Sequence, residues 1–199
     1  MKSPIINILT RTSNRPEEFT RCVESVRSQS YKNIRHIVCA DNDESFEYAS
    51  KLVKDPIRVQ KRDLVPLYKN YEPYNLYIND LLKEVKGGYI MFLDDDDYLS
   101  SPRSIEKIVP HLHKDEVLCW LTKLEGEIIP NKQSLLAPVL IPTQIGNSSF
   151  MFHSMHKWAA KQDAVRGADY RCVQRLSWLL KHTWLEEVLV IQPIARGGL

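Results

Sequence analysis

Short apolar runs alternate with stretches of helical periodicity through the first hundred residues. Ile5-Ile6-Asn7-Ile8-Leu9 reads as a strand, and after it Phe19, Cys22, Val23 and Val26 repeat at the spacing that lines one face of a helix. Pro16 suits an early helical position, Asn14 can cap it, and Glu17 and Glu18 favour its positive end. His36-Ile37-Val38-Cys39-Ala40 makes a second strand, Phe46, Ala49 and Val53 mark a short helix, and Ile57-Arg58-Val59 is a brief third strand. After a looser stretch from Lys61 to Pro73, Ile78, Leu81, Leu82 and Val85 repeat the helical face. Gly87-Gly88 closes that helix and delivers the chain into Tyr89-Ile90-Met91-Phe92-Leu93. The order β-α-β-α-β-α-β predicts an α/β fold with a mostly parallel central sheet flanked by helices.

The second half is less regular. Ser101-Pro102 opens a helix with Ile105, Ile108, Val109 and Leu112 inward, which Pro110 must kink or end. Val117 to Leu121 reads as another strand, and residues 129–147 as an exposed excursion suited to substrate contact. A final amphipathic helix is expected from about Asp169 to His182, with Val173, Leu176 and Leu180 on one side.

The chemistry concentrates where the strand at Tyr89 stops in Asp94-Asp95-Asp96-Asp97. Two unit charges about 4 Å apart repel by roughly 1 kcal/mol in water and by several times more at a partly buried site, so this run calls for a cation. Hard divalent ions with oxygen ligands, Mg²⁺ or Mn²⁺, are the natural partners. The bland alternative is an acidic turn ahead of the helix at Ser101, but a buried strand feeding four carboxylates makes a poor solvated turn. In open α/β sheets ligands bind outside the carboxyl ends of the strands. Thr10-Arg11-Thr12, Asp41-Asn42-Asp43 and the aspartates all fall on that rim, a set that suits a nucleoside diphosphate, although the two threonines alone would read as ordinary turn chemistry.

Composition narrows the class. The 199 residues are 43% hydrophobic and 26% charged, enough for one full core and short for two. Lys+Arg 27 against Asp+Glu 25 leaves a net charge of +2 with no basic block, so nucleic acid is not an expected partner. Cys22, Cys39, Cys119 and Cys172 lie far apart in apolar surroundings and read as reduced core thiols. No stretch reaches the roughly 18 apolar residues of a membrane span and none resembles a signal peptide, which makes a cytoplasmic protein without a transmembrane segment the expectation.

Residues 8–16, 22–31 and 37–42, spaced as they are from Gly87-Gly88-Tyr89 and the aspartates, resemble the opening of a family 2 glycosyltransferase with the GT-A fold. The resemblance implies one GT-A (Rossmann-like) domain over 1–199, with a nucleotide-sugar-binding half at 1–100 and an acceptor-binding half at 101–199. It implies a donor site of Thr10, Arg11, Thr12, Asp41, Arg62, Asn79, Asp94 and Asp95, and a metal, Mn²⁺ or Mg²⁺, held by Asp96 with Asp94. Arg196 is a further candidate phosphate partner. Gly167-Ala168-Asp169-Tyr170 is similar to the segment that carries the catalytic base of inverting members, so Asp169 takes that role, with helix capping as the alternative reading. Ala40, Ile78 and Ala168 depart from the family pattern. The implied reaction moves a sugar from a nucleoside-diphosphate sugar, UDP-linked by resemblance, to a hydroxyl of a glycan or glycoprotein. Inverting and retaining chemistry both remain open, as does a non-catalytic nucleotide-sugar-binding module. The chain is short for the family, as a compact viral-type enzyme or a domain of a longer protein would be. Phosphatases of the haloacid-dehalogenase type need Asp-x-Asp after the first strand, and sugar-phosphate nucleotidylyltransferases a Gly-rich loop there; this chain has Thr-Arg-Thr. His153, His156 and His182 read as structural or solvated, and Trp158, Trp178 and Trp184 as core.

Overall fold

In the computed structural model, which describes residues 3–59, 71–137 and 140–193, the first strand, β1 (Ile6–Thr12), is buried along nearly its whole length. Its apolar residues are therefore covered on both faces, as expected for a central parallel strand. The chain continues through α1 (Pro16–Arg27), β2 (Ile34–Ala40), α2 (Asp43–Leu52), β3 (Ile57–Arg58), α3 (Tyr77–Glu84) and β4 (Tyr89–Phe92). Then follow β5 (Tyr98–Leu99), α4 (Ser104–Ile108), β6 (Glu116–Leu124), β7 (Glu127–Ile129), α5 (Lys132–Leu135), β8 (Phe150–His153), α6 (Ala168–Leu179) and β9 (Lys181–Gln192).

The strands form one sheet in the order β3-β2-β1-β4-β8-β6-β9-β5, with β7 on β6. The four strands of the first half run parallel, as their helical crossovers require. The second half corrects the expectation of a mostly parallel sheet. β8 enters antiparallel between β4 and β6, β5 and β7 also pair antiparallel, and only β6 and β9 are parallel there. A parallel pair needs a crossover that covers a face; α6 supplies one ahead of β9, whereas β6 reaches β8 through a largely irregular excursion.

Two apolar layers sandwich the sheet. On one face Ile6 and Ile8 pack with Cys22 and Val26 of α1 and with Met91, Ile105 and Trp120. On the other, Leu9 packs with Leu81 and Leu82 of α3, Phe92, Phe150 and Phe152, and Cys172, Val173 and Leu176 of α6. Each such fully buried side chain contributes about 1.5–3 kcal/mol relative to exposure. All four cysteines are free and buried, the state expected of core thiols.

Three local expectations need correction. Asn14 does not cap α1: it adopts a left-handed φ of 54°, which asparagine tolerates, and its N–H donates to Ser45 Oγ at 2.9 Å. The N-cap of α1 is Arg15, without a side-chain cap. α4 is only five residues long and passes into a 3-10 turn at Val109–His111 around Pro110. α6 stops at Leu179, and His182 lies in β9. Arg62 and Arg196 fall outside the described residues.

Gly88 is fixed by two independent constraints, a φ of +83° and the approach of Ile5 O, which would lie 2.3 Å from a Cβ. Gly87 has open space. Gly88→Ala is expected to lower unfolding free energy by about 2 kcal/mol or more, from left-handed strain and the backbone clash, while Gly87→Ala shifts it by less than about 1 kcal/mol in urea titration.

Candidate active site

Alternation along β1 divides the Thr-Arg-Thr sequence between the two layers. Thr10 and Thr12 share the face of Ile6 and Ile8 and are fully buried. Thr10 Oγ1 lies 3.0 Å from His36 Nε2, and Thr12 Oγ1 lies 2.7 Å from the Tyr48 hydroxyl. Arg11 faces the opposite way and lines a cavity of about 540 Å³ at the carboxyl ends of β1 and β4. Its guanidinium stacks over the Tyr74 ring, 4.5 Å from the centroid. Arg11 Nη1 is buried and has no hydrogen-bond partner among the described residues.

The four aspartates do four different things. Asp94 lines the cavity, and its Oδ1 accepts from Asn147 Nδ2 at 3.2 Å. Asp95 accepts from the Ser13 N–H at 3.2 Å and from Arg15 Nη1 at 3.3 Å, and Asp96 accepts from the same Nη1 at 2.6 Å. Asp97 is buried and accepts from Ser148 Oγ at 2.6 Å and Gln192 Nε2 at 2.7 Å. Burial, with Asp96 and Asp95 adding to it against the pull of Arg11, pushes the Asp94 carboxyl up to about 7. Burial also raises Asp95 and Asp97. Burial alone would lower Arg15, but Asp96, Asp95 and Asp94 hold it above its ordinary value.

Also on the cavity, Gly167 turns the chain with a φ of 80° into α6, whose first turn carries Asp169. Asp169 Oδ1 accepts from the Tyr170 N–H at 2.8 Å, a local bond that does not span the turn as an N-cap would. Its carboxyl is raised mainly by burial, against the Tyr170 N–H and Arg171, with Glu72 pushing it further up.

Of the residues singled out in the sequence, the cavity therefore gathers Arg11, Asp94 and Asp169. Thr10, Thr12, Asp41, Asn79, Asp95 and Asp96 do not line it. Asp41 instead accepts from Asn42 Nδ2 at 3.0 Å. Asn79 clasps the backbone of Gln162, donating to its carbonyl and accepting from its N–H, both at 2.8 Å. Gln162 Nε2 in turn donates to Asn147 Oδ1 at 2.6 Å. Pro142, Thr143, Ile145 and Asn147 reach the cavity from the excursion expected to suit substrate contact, whereas sequence reasoning missed Glu72, Tyr74 and Gln162, which no motif spacing marks. Among the described residues no cluster of three or more His, Cys, Asp or Glu is placed to hold a metal, and no helix is long and apolar enough to cross a membrane. None of His153, His156 and His182 lines the cavity. Trp158 and Trp178 are exposed rather than core, whereas Trp184 packs against the core.

The family model for glycosyl transferase family 2 matches residues 8–166. The chain belongs to that family. A relative in Campylobacter jejuni, described as a GalNAc(5)-diNAcBac-PP-undecaprenol beta-1,3-glucosyltransferase, is 32% identical over 100 residues, 49% of this chain and 31% of its own. An Escherichia coli relative, the UDP-Glc:alpha-D-GlcNAc-diphosphoundecaprenol beta-1,3-glucosyltransferase WfaP, is 32% identical over 96 residues, 47% of this chain and 36% of its own. The matched stretch thus spans about a third of the length of these curated relatives. Among solved structures, Staphylococcus aureus TarS 1-349 in complex with UDP-GlcNAc superposes with a TM-score of 0.73 at 14% identity, covering 98% of this chain and 60% of that one. The mannosyltransferase PcManGT from Pyrobaculum calidifontis, in complex with GDP-Man and Mn²⁺, superposes at 0.70 with 10% identity, over 100% of this chain and 59% of its own. At these identities the likeness establishes the fold, which is the expected GT-A architecture with a mixed sheet.

The buried His36 beside Thr10 has a pH signature. Burial, with Arg27 assisting, lowers it to about 4. An unfolded histidine titrates near 6.5, so between about pH 6.5 and 4 the unfolded chain binds the extra proton. Stability from keeping His36 neutral is present above about pH 6.5 and lost as pH falls toward 4. The slope is at most one proton, about 1.4 kcal/mol per pH unit. Asp94, raised to about 7, binds its proton in the folded state across the same window and opposes this slope, so the His36 contribution is read as a difference. In denaturant titrations wild type should lose up to about 1.4 kcal/mol per pH unit more than His36→Asn as pH falls from about 6.5 to 4.

Proposed function

We propose that the protein transfers a glycosyl group from a nucleoside-diphosphate sugar, with UDP the carrier, to a hydroxyl of a glycan or glycoprotein acceptor. The observation that carries this reading is the cavity itself. A buried guanidinium nitrogen, Arg11 Nη1, has no partner among the described residues, and Arg11 lines the cavity together with Asp94 and a partly buried carboxylate, Asp169. An unpaired buried donor calls for an acceptor, and a planar guanidinium suits phosphate oxygens. The names of the relatives, two glucosyltransferases and structures holding UDP-GlcNAc or GDP-Man, support the same donor class.

In this reading Arg11 binds the diphosphate and stabilises the charge that develops as the sugar–phosphate bond breaks. Asp169, raised by burial, takes the proton of the acceptor hydroxyl as its oxygen forms the new bond to the anomeric carbon from the opposite side, so configuration inverts. Donor contacts come mainly from residues 1–100 and acceptor contacts mainly from 101–199. The donor set also fits a hard divalent cation. Such ions are held by one or two carboxylates together with substrate phosphates; Asp94 lines the cavity, and Asp96, off the cavity with Oδ2 on Arg15, would have to turn from that arginine to join it. Asp94 with Asp96 would hold Mn²⁺ or Mg²⁺, which supplies charge neutralisation for the leaving diphosphate.

Two measurements test this. UDP at about 100 times its dissociation constant should stabilise the fold by roughly 2.7 kcal/mol, seen as a rise in melting temperature that needs Mn²⁺ or Mg²⁺ and disappears in Arg11→Met and Asp94→Asn. No rise with UDP, GDP, dTDP or CMP would overturn the donor assignment. Asp169→Asn should reduce the transfer rate by about 100-fold or more with the UDP-induced shift retained; unchanged transfer at saturating donor would exclude Asp169 as base.

A further inference from the structure

A second carboxylate, from outside α6, lines the cavity and acts on Asp169. Within the first turn of that helix Asp169 is the only acidic residue, and the position before it is Ala168. Glu72 lines the same cavity from the segment leading into α3. Its backbone is anchored: Glu72 N–H donates to Ala164 O at 2.7 Å, and Tyr71 bridges Val165 in antiparallel fashion. The side chain takes one uncharged donor, Asn75 Nδ2 at 3.3 Å from Oε2, and burial, with the Glu72 charge behind it, holds the nearby Tyr74 phenol above its ordinary value. No lysine, arginine or histidine among the described residues pairs with it. An ionised carboxylate offers about four lone-pair sites, so one protein donor leaves room for a ligand.

The surroundings indicate what that ligand is. Three arginines, Arg11, Arg166 and Arg171, and three carboxyl residues, Glu72, Asp94 and Asp169, line the cavity, so its walls carry both signs rather than one that would select an ionic acceptor group. Arg171 is already engaged by Asp163 through two bonds. An acceptor-only group on an anchored backbone, facing the same space as the base, suits a polyhydroxylated ligand. We propose that Glu72 is an acceptor-binding residue, whose carboxylate takes hydrogen bonds from the hydroxyls of a sugar acceptor and presents the attacked hydroxyl to Asp169. This rests on the transferase reading above and deepens it by assigning a sugar-hydroxyl subsite to a residue of the donor half.

A second consequence is electrostatic. The charged groups that act on Asp169 are Arg171 on its own helix and Glu72 from the segment before α3, and Arg11, Asp94 and Arg166 line the same cavity. Of these, Glu72 adds to the elevation of the Asp169 carboxyl that burial produces, and Arg171 opposes it.

The test uses the purified chain with the UDP-sugar it turns over and methyl β-D-glucoside or methyl N-acetylglucosaminide as acceptor probes. Losing a charge-assisted hydrogen bond to a hydroxyl, Glu72→Gln should raise KM for the glycoside at least about tenfold against less than twofold for the donor. It should also move the acid limb of the pH–rate profile to lower pH, because Asp169 loses a like-charged neighbour. Glu72→Asp, which keeps the charge, should leave that limb in place. Glycoside and donor KM rising together, or neither changing, would overturn the proposal. Wild-type chain that shows no nucleotide-dependent thermal shift and no turnover would instead sink the transferase reading, and this subsite with it.

Discussion

Everything at the carboxyl edge of the sheet answers to the compensation of four consecutive carboxylates. At an effective dielectric of about 20, two charges 4 Å apart repel by roughly 4 kcal/mol, so Asp94 to Asp97 could not stand together without donors brought from elsewhere. Those donors come from separate places: Ser13 and Arg15 where β1 turns into α1, Asn147 and Ser148 ahead of β8, and Gln192 at the end of β9. Ser148 does more than one job, since its Oγ also accepts from the Asp94 N–H and its carbonyl takes the Trp120 indole N–H at 3.0 Å. The insertion of β8 beside β4 is what delivers Asn147 and Ser148 to the aspartates, so the mixed sheet and the acidic turn are one arrangement.

This dependence explains why the first half was legible in the sequence and the second was not. Helical faces at Phe19 to Val26 and Ile78 to Val85 carry their own periodicity, and Gly88 marks a turn only glycine makes without strain. β8, by contrast, is the run Phe150-Met151-Phe152-His153, too short for period to separate strand from helix. β9 is the longest strand, yet it is mostly half-buried and its register on β6 shifts around Leu121, so its residues show no clean alternation. Leu180 continues the apolar face of α6, which is why a sequence reading carries that helix on to His182. The prediction of parallel pairing failed at β8 because topology there is decided by charge compensation between distant segments, which local pattern does not encode.

The site divides in a similar way. Asp94 and Asp169 could be picked out from motifs, because each sits at the end of an element whose boundary the sequence marks. The split of Thr10, Arg11 and Thr12 between two layers was also available in principle, since β1 alternates Ile6, Ile8, Thr10 and Thr12 against Asn7, Leu9 and Arg11. The period puts the arginine, not the threonines, on the face that α3 and the cavity share. Glu72, Tyr74 and Gln162 carry no such signal, being united only by folding.

Asp94 also orders the amides that reach it. A carboxylate only accepts, so Asn147 must present Nδ2 to Asp94 and turn Oδ1 toward Gln162, which must then donate through Nε2. The Gln162 backbone is pinned by Asn79 through two bonds whose direction the peptide group dictates, so this string of side chains has one consistent orientation. Its last atom, Gln162 Oε1, is left buried without a partner among the described residues. Asn79 therefore belongs to the site without touching the cavity: it holds the residue whose amide fixes Asn147, and through Asn147 the carboxylate. Of the three buried side-chain atoms without a partner among the described residues, Arg11 Nη1, the Tyr71 hydroxyl and Gln162 Oε1, the first and the last belong to residues that line one cavity.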